Sequence, residues 1–168
     1  FNPNNDLMES QGASTSYRSH FKQLAEMEPV VGKELGLTPW LVMDQERINH
    51  FASITQDEQW IHLDQERCAK ESPYQQTIAH GFLTLSMCSK IMFDAYAIEG
   101  VSRVINYGLD KVRFPAATPS GARVRGRVRL MEFTALPSGA KYKLEITIEI
   151  EGQDKPACVA ELLVLAYD

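Results

Sequence analysis

A carboxylate and an imidazole, Asp57 and His62, stand five residues apart in the segment after a predicted helix. On one short loop, both side chains can point into the same small volume and hold one water molecule between them. Asp57 would accept a hydrogen bond from this water, and His62 would be a hydrogen-bond partner or a proton carrier. The chemistry indicated is activation of water by an acid/base pair. The spacing is also compatible with structural roles, as a turn residue and a packed histidine.

A second candidate feature is the dipeptide His80-Gly81, which begins a strongly apolar segment. The first N–H groups of a helix have no partner within it, and a glycine at this position leaves them open to approach. Such groups can stabilise negative charge that develops on a substrate oxygen during a reaction. His80 itself could equally cap the helix or pack against it.

Hydrophobic periodicity predicts the helices that position these residues. Apolar residues from Tyr17 to Ala25 predict a short amphipathic helix that Pro29 ends. A strand is expected at residues 40–43. The remaining helical predictions are a helix that Asp44 caps and that ends near Gln56, a turn that Asp64 caps, and a long helix at Gly81–Tyr96. The long helix is apolar nearly all round, which predicts that it is buried.

The period of the hydrophobic pattern changes from 3.6 to 2 residues after Gly100, which predicts strands up to the C-terminus. The predicted strands cover residues 104–114, 123–133, 141–151 and 157–166. A slip in the alternation at Asp110-Lys111 indicates a β-bulge in the first of them. Turns at residues 137–139 and 151–154 join the later strands into an antiparallel meander.

Four arginines alternate along the second of these strands, at positions 123, 125, 127 and 129. Such a stripe could bind the phosphates of CoA or of a nucleic acid. Folding the chain about residue 137, however, places Arg129 opposite Glu145 and Arg125 opposite Glu149, with Arg123 opposite Glu151. Because opposite charges attract across neighbouring strands, we interpret the stripe as a charge-paired, solvated face.

Composition limits the class of protein. The chain has 168 residues, with 22 acidic and 17 basic side chains and a net charge of −5, which argues against a generally basic nucleic-acid binder. Its most apolar stretch, residues 78–98, contains charged residues that argue against a membrane span. Three separated cysteines fit neither a disulfide framework nor a paired-cysteine zinc site and favour a cytoplasmic location. We expect a flexible arm at residues 1–15 and one domain at 16–168.

The motifs Thr-x-Asp57-x-Gln-Trp-Ile-His62 and Thr77-Ile-Ala-His80-Gly81-Phe-Leu-Thr-Leu-Ser86, followed by the meander, resemble the MaoC-like hydratases. The resemblance covers roughly residues 30–167 and is nearest to the NodN-type branch of that family. It implies an α+β hot-dog fold, in which an antiparallel sheet wraps a long central helix, and it implies a homodimer.

The resemblance also implies residue roles. Asp57 and His62 fall on the catalytic pair, and the Gly81 N–H falls on the group that binds the thioester oxygen. Ser89, with Ser86 as an alternative, falls on a helix serine that supports the site. The implied reaction is the reversible hydration of a trans-2-enoyl-CoA to an (R)-3-hydroxyacyl-CoA. The CoA thioester is then the substrate, and no metal or redox cofactor is expected.

Three positions depart from the commonest form of the hydratase motif. Gln56 stands where that form has glycine, Gln59 where it has asparagine and Trp60 where it has proline. Gln59 remains a candidate substrate-binding residue, and the departures leave the acyl-chain range open. Two further functions stay open as well, because one fold can host several chemistries. These are a hot-dog acyl-CoA thioesterase and a non-catalytic module that binds acyl thioesters.

Overall fold

The computed structural model describes residues 15–168, and its largest feature is a sheet of eight strands. The strands are β1 (Tyr17–Phe21), β2 (Glu34–Leu37), β3 (Leu41–Met43), β4 (Tyr96–Ile98), β5 (Arg103–Arg113), β6 (Ala122–Leu136), β7 (Gly139–Ile150) and β8 (Cys158–Tyr167). Their order is β4-β1-β2-β6-β7-β8-β5, and β3 also pairs with β6. Except for its last residue, the predicted arm at residues 1–15 lies outside the described part of the chain.

Five α-helices accompany the sheet among the described residues: α1 (Gln45–Thr55), α2 (Trp60–Leu63), α3 (Gln65–Glu71), α4 (Gly81–Ser86) and α5 (Cys88–Ala95). The predicted caps are confirmed. The Arg47 N–H donates to the Asp44 carboxylate at 2.8 Å, and the Arg67 N–H donates to Asp64 at 2.9 Å. Gln56 ends α1 in the left-handed region, with a φ of 63°. The local sequence therefore determines both ends of α1.

The helix predicted from Tyr17 to Ala25 is wrong. Residues Tyr17–Phe21 form β1, which pairs antiparallel with β2 and parallel with β4, and a 3-10 helix at Leu24–Val30 follows. The backbone of β1 finds hydrogen-bond partners on both sides, so pairing between distant segments overrides the local helical pattern. The spacing of Tyr17 and Phe21 could not distinguish these outcomes.

The predicted central helix exists but differs in two ways. It is interrupted for one residue at Met87, between α4 and α5, and it ends at Ala95, so that Tyr96 begins β4. Its inner face is buried as predicted. Its outer face is not, since Phe82 is 70% exposed and Phe93 is 54% exposed. The prediction of a helix buried all round is therefore wrong for the single chain.

The strands after Gly100 match their predicted positions closely, but the four do not form one meander. β6, β7 and β8 are joined in chain order, whereas β5 crosses over and pairs with β8 at the end of the sheet. The predicted bulge is confirmed by a register shift between Leu109 and Val112. β8 consequently lies between two strands, as its apolar composition predicted.

The charged stripe of β6 pairs as predicted. Arg129 lies 3.3 Å from Glu145, Arg125 lies 2.8 Å from Glu149, and Arg123 lies 3.1 Å from Glu151. The inner face of the sheet carries the core, which includes the aliphatic side chains of β7 and the buried side of α5. In residues 15–168, no helix has both the length and the apolar character that crossing a bilayer would require.

Candidate active site

Asp57 and His62 come from a short connection and the helix that follows it. Asp57 lies between α1 and α2, just after the left-handed turn at Gln56, and His62 lies in α2. The Asp57 N–H donates to the Thr55 hydroxyl at 3.4 Å, which ties the connection to the end of α1. The predicted pair is thus brought together locally, by a helix end and a single turn.

The orientation of His62 is set by one hydrogen bond. Its side chain is buried, and Nδ1 lies 2.7 Å from the carbonyl oxygen of Ile78. A carbonyl oxygen only accepts, so Nδ1 must carry the proton that it donates. In the neutral ring Nε2 then holds the lone pair. His62 can therefore accept a hydrogen bond or a proton through Nε2.

His80, a second buried histidine, completes the cluster. One side-chain ligand atom from each of Asp57, His62 and His80 lies within 4.8 Å of the other two. The rings of His62 and His80 are stacked, with centroids 3.8 Å apart and planes at 24°. Carboxylate and imidazole groups at these distances can contact one small polar guest, and the same donor types can ligate a metal ion.

The segment before α4 is held by backbone hydrogen bonds on both sides. The Ile78 N–H donates to Ile61 at 3.1 Å, and the Ala79 N–H donates to Thr118 at 2.8 Å. Gln45 adds a side-chain link, because its amide donates to the His62 carbonyl at 2.7 Å and accepts from the Thr77 hydroxyl at 2.6 Å. The segment that leads into His80 and the helix that carries His62 are therefore held together by hydrogen bonds.

The environment of His62 lowers the pKa of its imidazole below the ordinary value of 6.5. Burial is the largest cause, because it disfavours the charged ring. The hydrogen bond to Ile78 acts in the opposite direction, the neighbouring His80 lowers the pKa further, and Asp57 raises it. The net direction keeps Nε2 unprotonated at neutral pH.

Gly81 begins α4 directly after His80 and leaves little spare room. A Cβ atom built at Gly81 would lie 3.2 Å from the ring of Phe114, a residue that follows β5. A side chain here would press on that ring, so glycine lets the ring of Phe114 lie against the start of α4. The first N–H groups of α4 have no acceptor within the helix.

Comparison with known proteins identifies the family. Residues 26–148 match the MaoC like domain. The chain is 43% identical over 145 residues to the 3-hydroxyacyl-thioester dehydratase Z of Mycobacterium tuberculosis, covering 86% of this chain and 95% of that protein. It is also 42% identical over 154 residues to nodulation protein N of Rhizobium leguminosarum, covering 89% and 94%. The chain belongs to the MaoC-like dehydratase family. The predicted family and the hydro-lyase class are thereby confirmed.

Solved structures confirm the fold of this MaoC-like chain. The R-hydratase of Pseudomonas aeruginosa in its unliganded form superimposes with a TM-score of 0.70 at 20% identity, covering 87% of this chain and 86% of that one. The (R)-hydratase from A. caviae involved in PHA biosynthesis gives 0.65 at 21% identity, covering 80% and 94%. The chain therefore has the predicted α+β hot-dog fold.

The other predicted site residues of the MaoC-like chain differ in their contacts. Gln59 lies beside Asp57, and its amide donates to the carboxylate at 3.3 Å. The Ser86 hydroxyl donates to the Phe82 carbonyl in its own helix at 2.7 Å. The Ser89 hydroxyl accepts from the Asn106 side chain of β5 at 3.1 Å. Both serines are engaged with partners other than the Asp57–His62 pair, and a supporting role for either stays a prediction.

Two features of the MaoC-like site were missed from the sequence. The ring of His80 stacks on His62, a contact between the two rings that the sequence did not indicate. Gln45 bridges His62 and Thr77 from 17 and 32 residues away. No pattern within α1 distinguishes Gln45 from an ordinary solvated glutamine, so only the structure reveals this link.

A separate cleft in the MaoC-like chain lies between α5, β3 and β6. It has a volume of about 120 Å³, and its lining includes Trp40, Lys90 and Arg125 but neither Asp57 nor His62. The three cysteines, Cys68, Cys88 and Cys158, are free and buried. The candidate active site is therefore the Asp57–His62 cluster.

Proposed function

We propose that this chain catalyses the reversible hydration of a trans-2-enoyl-CoA to the (R)-3-hydroxyacyl-CoA. One observation carries the proposal: the Asp57 carboxylate and the His62 ring have ligand atoms within 4.8 Å of one another, and the bond from Nδ1 to Ile78 leaves Nε2 as the acceptor nitrogen of that ring. The relative from Mycobacterium tuberculosis, named as a 3-hydroxyacyl-thioester dehydratase, supports the choice of a thioester substrate. The same chemistry runs in either direction.

In the proposed reaction, one water molecule bridges the two groups. Two acceptors at that separation can each take a hydrogen bond of about 2.8 Å from a single water. The water oxygen attacks C3 of the enoyl thioester while one of its protons passes to the Asp57–His62 pair. The π electrons of the C2–C3 bond shift to the thioester carbonyl oxygen, and C2 then takes a proton from the pair. Water has thus been added with its atoms balanced.

The Gly81 N–H is the group that we assign to the thioester oxygen. Negative charge grows on this oxygen as water attacks, so a hydrogen bond to it is strongest in the transition state. Gln59, already bonded to Asp57, helps to orient that carboxylate. Ser89, with Ser86 as the alternative, is assigned a supporting position on the central helix. No metal or redox cofactor takes part in this mechanism.

Turnover of a short and a long trans-2-enoyl-CoA tests the function. Hydration is followed by loss of the enoyl absorbance, release of free CoA is measured in the same sample, and the product is resolved on a chiral column. Loss of enoyl absorbance without free thiol, with an (R) product, supports the hydratase. Release of free CoA would instead identify a thioesterase, and binding without either signal would identify a non-catalytic module.

The pH dependence of the rate follows from the lowered pKa of His62. Protonation fills the Nε2 lone pair, so the rate should fall as the pH falls through this pKa. Because the pKa lies below 6.5, we expect kcat/KM to stay level down to about pH 6.5 and then to decline. A pH–rate profile checks this, and His62→Gln should remove that acidic limb from the residual activity. A midpoint at or above 6.5 would contradict the assignment.

We also propose that the protein is a homodimer. β5 ends the strand order of the sheet, and Ile105, Tyr107 and Leu109 on it are each more than 40% exposed. The outer stripe of the central helix adds Phe82 and Phe93. An edge strand and a helix that both expose large apolar side chains favour pairing with a second copy about a two-fold axis. Dimerisation would bury these groups.

The double substitution Phe82→Glu/Phe93→Glu is expected to give a monomer. Two carboxylates buried in an apolar interface would carry a desolvation cost that the contact could not offset. Light scattering should then report one chain of 18.9 kDa instead of two. Ile54→Glu, at an 82% exposed position on α1, is the matched control and should leave the mass unchanged. An unaltered dimer in the double variant would refute this interface.

The proposed compartment is the cytoplasm. The three buried cysteines are all free, which fits a reducing environment. The proposed substrate, a CoA thioester, is a small molecule that needs neither a nucleic acid nor a membrane as a partner.

A further inference from the structure

His80 is one of two buried histidines, and its ring lies between two others. It is 2% exposed, and its centroid is 4.9 Å from that of Phe51 and 3.8 Å from that of His62. The tilted contact with Phe51 and the stacked contact with His62 are both contacts that a phenylalanine ring could make. Aromatic packing alone therefore does not account for an imidazole at this position.

Only one of the two ring nitrogens of His80 makes a hydrogen bond. Nε2 lies 2.9 Å from the main-chain carbonyl oxygen of Asp57, which can only accept, so Nε2 carries a proton and donates it. Nδ1 is buried and has no hydrogen-bond partner. A buried polar atom without a partner costs stability. The imidazole is thus kept despite a cost, and its distinctive contribution is the Nε2–H bond to Asp57.

That bond restrains the main chain of a residue that lies outside regular secondary structure. Asp57 belongs to no helix or strand, and its N–H makes a long 3.4 Å contact with Thr55. His80, in contrast, directly precedes α4 in a segment that is hydrogen-bonded on both sides. The bond from Nε2 therefore ties the connection between α1 and α2, which includes Asp57, to a segment that is itself held in place.

We propose that His80 is a positioning residue that holds the Asp57 main chain through its Nε2–H bond. This proposal rests on the proposed hydration, in which Asp57 must be held in position to react. Displacement of a reacting group by about 1 Å can cost about 10²-fold in rate. Loss of the His80 contacts should consequently lower kcat more than it changes KM.

Three substitutions separate the donor from the ring. His80→Gln keeps an N–H donor the same number of bonds from Cα as Nε2 but removes the ring. His80→Asn places its donor one bond short, and His80→Phe keeps the ring but has no donor. We expect kcat to fall by about 10- to 100-fold in the Asn and Phe variants, with KM changed less than about threefold. The Gln variant should keep at least about a third of the activity.

His50→Phe is the matched control, because His50 is an exposed histidine on α1 outside the site. It should leave kcat unchanged. If His80→Phe does not fold, the comparison of the Gln and Asn variants still decides the role of the donor. Equal kcat in the Phe variant and the wild type, or equal losses in the Gln and Asn variants, would overturn the proposal.

A measurement that does not depend on turnover separates this proposal from the proposed function. Backbone ¹⁵N order parameters at residues 57–59 should be near 0.85 in the wild type and below about 0.6 in His80→Phe, with recovery in His80→Gln. Unchanged order parameters would overturn the positioning role even if the enzyme is a hydratase. A wild type that hydrates no enoyl-CoA but shows these changes would overturn the proposed function alone.

Discussion

Asp57→Asn is expected to lower the hydration of a trans-2-enoyl-CoA by about 10²-fold or more while the protein stays folded. The amide is nearly the same size as the carboxylate, so packing is preserved. It cannot take a proton from the attacking water, and its NH₂ group would turn a donor toward a position that needs an acceptor. Initial rates with a short enoyl-CoA and a circular dichroism spectrum measure the two effects.

Asp64→Asn is the matched control for this change. Asp64 caps α3 through the Arg67 N–H, and asparagine caps helices about as well as aspartate. The same chemical substitution, seven residues away and outside the cluster, should therefore leave both the rate and the stability close to those of the wild type. Near-normal hydration by folded Asp57→Asn would show that Asp57 is not the proton acceptor.

The second large effect is expected on stability, from Gly36→Ala. Gly36 lies in β2 where the end of α5 crosses the sheet, and a Cβ atom there would lie 2.2 Å from the carbonyl oxygen of Ala95. The obstruction is main chain, which cannot rotate away as a side chain can. Relief requires shifting α5 from the sheet, so we expect the free energy of unfolding to fall by about 3 kcal/mol. Urea unfolding measures this change.

Gly108→Ala is the corresponding control on β5. The nearest atom to a Cβ at Gly108 is Cδ1 of Leu163, at 3.9 Å, which is ordinary van der Waals contact. Alanine should be tolerated there, with a change in unfolding free energy within about 1 kcal/mol. If both substitutions change the free energy of unfolding by the same amount, the close approach of α5 to β2 is not the reason that glycine is needed at position 36.

The features that were predictable from the sequence are those with short-range causes. Asp44 and Asp64 cap helices through the third residue after each, and the alternation along β7 requires no knowledge of its neighbours. The charge pairs between β6 and β7 were also predictable, because the position of the turn in a hairpin sets which residues of the two strands lie opposite each other. Asp57 and His62 meet for the same reason, since one turn separates them.

The features that were not predictable depend on distant contacts. Tyr17–Phe21 is a strand because β2 and β4 lie on either side of it, and β5 pairs with β8 because the chain crosses over the meander. The link from Gln45 to His62 and Thr77 joins three segments that no local pattern connects. Phe82 and Phe93 are exposed in the single chain. Hydrophobic periodicity predicts that such apolar positions are buried, but it does not say whether the same chain or a partner covers them.

The compactness of the candidate site along the chain has a consequence for how such an enzyme changes. Asp57, His62, His80 and Gly81 lie within one stretch of 25 residues, from 57 to 81, whereas the ring of Phe114 that faces Gly81 is brought from beyond β5. The residues of the candidate site and the ring that faces Gly81 therefore come from separate parts of the sequence. Under the proposed function, substitutions at Phe114 should leave the Asp57–His62 pair in place, which would let the substrate range diverge while the reaction is retained.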